Sequence, residues 1–106
     1  MKLREEIKLL FEDRLQKFGV PILVYFDWKT PKEVSYEAVG IKDNEMNDSR
    51  RAIFKFKNKI ELRVGSVLSQ KGTKNFWRVV EIEDCLICDT YINFNVYAQN
   101  MIDQEG

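Results

Sequence analysis

The chain has 106 residues, 44% of them apolar and 12% aromatic, enough for one domain with its own core. Seventeen basic and seventeen acidic side chains cancel, so bulk charge gives no pull toward nucleic acid or an anionic membrane. Histidine is absent, which excludes Ser-His-Asp and Cys-His nucleophile systems, His-metal sites and imidazole acid–base chemistry.

Leu3, Ile7, Leu10, Phe11, Leu15 and Phe18 recur three and four residues apart, with Glu5, Glu6, Lys8, Glu12, Asp13 and Arg14 mostly off that stripe. The spacing predicts an amphipathic helix over residues 2–18. Gly19 offers a left-handed cap and Pro21 blocks continuation. Ile22 to Phe26 is β-branched and aromatic and reads as a strand, ended or bent at Thr30-Pro31. Rough alternation resumes over Val34 to Val39. From Gly40 to Arg51 the chain is polar with little periodicity, which predicts a long mobile loop. Ala52 to Lys57 is a strand. Ile60, Leu62 and Val64 alternate with charge up to Gly65, Val67-Leu68 form a short strand, and Lys71 to Asn75 is a polar turn. Phe76 to Glu83 is the next strand, closed by Asp84. Ile92, Phe94 and Val96 alternate with Asn93 and Asn95 in the last, placing apolar and amide side chains on opposite faces. The fold class is therefore α+β: a single domain, 1–106, with helix 2–18 packed on a small antiparallel β-barrel or sandwich. The strands lie within 20–39 and 52–98, and one mobile loop spans 40–51. Phe11, Leu15, Phe18, Val24, Phe54, Phe56, Val79, Ile82, Phe94 and Val96 are the expected core.

The longest apolar run, Ile22 to Phe26, falls far short of the roughly 20 residues of a spanning helix. The charged start, Lys2 to Glu6, lacks the apolar centre of a signal peptide. No membrane association is expected, and the thiols are expected to be reduced.

Cys85 and Cys88 have CxxC spacing. A structural zinc needs four ligands, and two cysteines without histidine do not supply them. Asp84 and Asp89 flank the pair and disfavour a reactive thiolate. The two read as small apolar fillers, so no metal site, cofactor or catalytic residue is assigned.

Charge is uneven along the chain. Residues 50–80 hold nine basic side chains against Glu61 alone, whereas residues 81–106 hold six acidic ones and no base. Neighbouring strands of opposite sign can neutralise each other within one sheet. Alternatively, opposite faces carry opposite signs, which suits head-to-tail ring assembly. In Phe54-Lys55-Phe56-Lys57 strict alternation separates the aromatics from the lysines, against a stacking surface for nucleic acid. No specific nucleic-acid binding is expected.

The stretch Ile60-Glu61-Leu62-Arg63-Val64-Gly65-Ser66-Val67-Leu68, a glycine turn, and then Phe76-Trp77-Arg78-Val79-Val80-Glu81-Ile82 carries a resemblance. Gly65 permits the kink that begins a strand, and Trp77 caps the barrel end. This pattern resembles the head-closure and tail-attachment proteins that join phage or prophage heads to tails. Their order of helix, small barrel and flexible loop matches this chain. The resemblance implies a structural, non-enzymatic connector protein. Copies would form a homo-oligomeric ring at the portal end, among other connector, portal or tail proteins, in the virion or in host cytoplasm before assembly. The other reading is a small β-barrel adaptor binding protein or nucleic acid. Within the polar segment, Met46 is the expected apolar anchor, and Arg50 and Arg51 the charge-assisted contacts to a partner.

Overall fold

The computed structural model describes residues 2–45, 48–87 and 90–101. Helix α1 (Lys2–Phe18) is followed by six strands: β1 (Val20–Tyr25), β2 (Tyr36–Glu45), β3 (Asp48–Phe56), β4 (Val67–Gln70), β5 (Trp77–Ile87) and β6 (Thr90–Asn100). All neighbours are antiparallel, in the closed order β1-β2-β3-β6-β5-β4. Short β4 closes the barrel, pairing Leu68 with Val24 on one side and with Trp77 on the other. Closure pairs the strand edges that would otherwise invite aggregation. The fold is the expected α+β arrangement, a helix on a small antiparallel barrel.

Period-two alternation builds the core. Ile22, Val24, Ala52, Phe54, Phe56, Leu68, Trp77, Val79, Phe94, Val96 and Ala98 form one buried cluster, with Ile82, Ile60, Leu62 and Tyr91 packed against it. Lys55 and Lys57 stand on the opposite face from Phe54 and Phe56, as alternation requires. Gly40 sits where β2 crosses this core. An added Cβ would lie 2.8 Å from the Phe56 ring and 3.1 Å from the Lys55 carbonyl oxygen. Gly40→Ala is expected to cost about 1–3 kcal/mol by overpacking, read in a denaturant titration. An unchanged midpoint would mean that the Phe56 ring turns aside freely.

The helix lies across β6 and β2 on the outside of the barrel. Ile7, Phe11 and Leu15 are half-buried against it. Arg14 bonds Asp43 of β2 at 3.0 Å, and Glu12 meets Lys57 at 3.7 Å. Phe18, expected in the core, is 64% exposed and lies outside it, and Leu10 of the same stripe is exposed too. The helix touches a convex barrel along a narrow line, so only the centre of its apolar stripe is covered. Gly19 is not a left-handed cap, since positive φ among the described glycines is confined to Gly65 and Gly72. It is needed for space instead, because a Cβ there would run into the Leu15 carbonyl oxygen.

Within the segment 40–51, expected as a loop, the described residues are strand. Residues 40–45 continue β2 and residues 48–51 begin β3, in register from Gly40↔Phe56 to Asn44↔Ala52. Backbone pairing continues there after the alternation of apolar residues has ended, and Asp43 is tied to both Arg14 and Lys55. Residues 60–64 are not a strand. They belong to the connection from β3 to β4, which buries Ile60 and Leu62 partly and leaves Val64 exposed. Gly65, at φ 97°, opens β4 as expected of a kink.

β5 runs past Asp84 to Ile87. An extra residue, Val80, shifts its pairing to β6, and a second shift falls between Cys85 and Leu86. Such bulges bend the strand and turn its face. β6 pairs β3 only over residues 94–99, while its own hairpin with β5 extends back to Thr90. The β2–β3 hairpin extends past the other end of that ladder. The two hairpins thus leave the barrel at opposite ends, and the molecule measures 49 × 27 × 24 Å. Among the described residues no helix is long and apolar enough to cross a membrane.

Candidate functional site

Two surfaces, at opposite ends of the barrel, merit description. The first is the β2–β3 hairpin, where sequence reasoning placed the partner contacts. Arg50 and Arg51 are both exposed on β3. As neighbours on a strand they take opposite faces, so they do not form one cationic site. Arg50 shares its face with Ala52 and Phe54, whereas Arg51 stands on the outer face opposite Gln99 of β6. Met46 lies outside the described residues. Behind this end, Lys42 Nζ sits 4.8 Å from the centre of the Trp77 ring. Trp77 is a buried member of the core.

The second surface lies at the other end, on the β1–β2 connection (26–35) and the β3–β4 connection (57–66). Phe26, Trp28, Val34 and Val64 are exposed there. Phe26 N donates to Ser35 Oγ at 3.3 Å and Ser35 N to the Val24 carbonyl at 3.0 Å, which pins the two limbs of the first connection together. Phe26 packs on Tyr36 with ring centres 5.7 Å apart. A shallow groove of about 390 Å³ runs along Phe26, Glu61, Leu62 and Arg63. Lys59 reaches Asp84 of β5 at 3.9 Å, tying the second connection to the β5–β6 hairpin. Sequence reading assigned Phe26 to a strand and gave Trp28 no role. The available signal was an aromatic pair beside Asp27, Lys29 and Pro31, large rings in a segment with no periodicity to bury them.

The Tyr36 hydroxyl donates to the Glu61 carbonyl oxygen and links the two connections. Burial, and then the charge of Glu61, pushes the Tyr36 pKa above the usual tyrosine value. The fold therefore favours the neutral phenol. The stability this contributes is complete below about pH 10 and is lost as pH rises further. The stability advantage of the wild type over Tyr36→Phe is expected to shrink above pH 10 in urea titrations. A constant difference across that range would refute the coupling.

Cys85 is half-buried on β5, and Cys88 lies outside the described residues. Among the described residues no three histidine, cysteine or carboxylate side chains are grouped to hold a metal ion. The outer helix surface adds a third apolar area, with Leu9 and Leu10 between Glu6 and Asp13. Several cations of the basic stretch are paired locally: Lys55 with Asp43 at 3.0 Å, Lys57 with Glu12, Lys59 with Asp84 and Lys71 with Glu37 at 3.2 Å. No family model, curated protein or solved structure matches the chain significantly.

Proposed function

We propose that the chain is a structural protein of a phage or prophage head–tail connector, assembling as a ring at the portal end and docking the tail. The observation that supports this most is the placement of contact surfaces at both ends of a closed barrel. Closure pairs the strand edges within the barrel, which leaves the hairpins that extend beyond it and the side-chain patches as surfaces for association. The β2–β3 hairpin, with Arg50 and Arg51, lies at one end. Phe26, Trp28 and Val34 lie at the other. Different surfaces on one subunit make heterologous contacts, which close into rings when the rotation allows. A contiguous exposed apolar patch is a mark of an interaction site. Leu9 and Leu10 on the helix offer a lateral surface between subunits. The reading assigns no catalytic residue and no cofactor.

The test is co-expression with candidate portal and tail-completion proteins. The wild type is expected to co-elute with the portal ring. Trp28→Asp, exposed and remote from the core, is expected to fold normally and lose co-elution. Absence of wild-type co-elution, together with salt-sensitive binding to single-stranded DNA, would favour a nucleic-acid adaptor instead.

A further inference from the structure

Strand order brings together two arginines that are far apart in sequence. Arg51 of β3 pairs with Gln99 of β6, and Gln99 pairs with Arg78 of β5. Their strand neighbours Ala52, Ala98, Trp77 and Val79 are all buried in the core. All three side chains therefore stand on the outer face, in one row across adjacent strands. Two inter-strand steps set the arginine backbones about 10 Å apart, with the amide between them. Neither Arg51 nor Arg78 makes an ion pair with any described residue. Two described carboxylates on the outer face of β2 are held elsewhere, Asp43 by Arg14 and Lys55, each at 3.0 Å, and Glu37 by Lys71 at 3.2 Å.

We infer that Arg51, Gln99 and Arg78 form a recognition site for an acidic segment of a partner protein. Guanidinium forks bind carboxylates in two-point geometry, and the amide adds both a donor and an acceptor. The same row continues beyond Arg78 to Val67 and Tyr25, both buried, with Phe76 edge-on to Tyr25 at 5.9 Å. Half-buried Phe76 gives the site an apolar margin next to its charge.

The occupant is a short acidic peptide rather than a nucleic acid. A phosphate backbone needs a track of cations to release its counterions. Here the positive field ends after one row, because the following exposed carboxylates of β5 are Glu81 and Glu83. A discrete pair of carboxylates fits the row, and a polyanion would run into those two. The inference stands independently of ring assembly, since it concerns one face of one subunit.

The experiment is fluorescence anisotropy with a fluorescein-labelled peptide of alternating aspartate and serine, at low and physiological salt. An oligothymidylate of equal charge and inorganic phosphate serve as competitors. The double variant Arg51→Gln, Arg78→Gln is expected to weaken peptide binding at least about tenfold. Arg50→Gln, on the opposite face, is expected to change it less than about twofold. Arg51→Lys is expected to recover only part of the loss, because it keeps the charge and not the fork. Thermal unfolding of each variant establishes that it is folded. Three results would overturn the inference: no peptide binding at low salt, an Arg50→Gln loss equal to that of the double variant, or tighter binding of the oligonucleotide or phosphate than of the peptide.

Discussion

Phe94→Ala is expected to lower the free energy of unfolding by about 3–5 kcal/mol in a urea titration. Phe94 is 1% exposed and lies on β6, the strand that joins the two halves of the barrel. Its partner across the ladder is Phe56, itself buried, and on the other side it faces Asp84 of β5. Truncation would leave a ring-sized void among Phe56, Val96 and Ile92, side chains held by a closed sheet that cannot collapse inward. Phe94→Leu, which refills most of the volume, is expected to recover more than half of the loss. A loss below about 1 kcal/mol for Phe94→Ala would remove this residue from the core.

Trp77→Ala is expected to cost a similar amount, about 3–5 kcal/mol, and to affect closure of the barrel specifically. Trp77 begins β5, pairs with Leu68 of the short closing strand, and faces Asn100 on the other side. Its ring meets Phe54 edge-on, with centres 6.0 Å apart, and carries the Lys42 ammonium over one face. Only two described pairs, Val67↔Arg78 and Leu68↔Trp77, join β4 to β5, so the indole is the main apolar anchor of that seam. Trp77→Phe keeps the apolar contact and weakens the cation–π attraction, and so is expected to cost markedly less. It also leaves exposed Trp28 as the one tryptophan, so native fluorescence is expected to shift to the red. A blue emission retained in Trp77→Phe would place Trp28, not Trp77, in the apolar interior.

What was legible in the sequence was whatever a local period records. Ile92, Phe94 and Val96, and Phe54 and Phe56, declared their strands and their inward face. The stripe on residues 2–18 declared the helix. The stripe did not show how much of it is covered, because that depends on the curvature of the surface beneath. Leu10 and Phe18 consequently remain outside. The outer part of the β2–β3 hairpin escaped for a related reason. Polar Lys42 to Asn44 shows no apolar alternation, although it pairs with Phe54, Ile53 and Ala52 of β3, and so reads as a loop. The bulge at Val80 was hidden in a continuous apolar pair. Arg51 was visible as a contact residue, but its companion Arg78 was not. They meet only because β6 lies between β3 and β5, a strand order that sequence spacing does not encode. Trp28 was passed over because its segment has no period at all.

The measurement that tests the central claim most directly is electron microscopy of the protein mixed with purified candidate portal rings. The connector reading predicts an added ring of density, coaxial with the portal, in which each subunit shows the long axis of a barrel with hairpins at both ends. The Trp28→Asp variant should leave the portal bare. Portal rings left unchanged by the wild type at saturating concentration would contradict the reading.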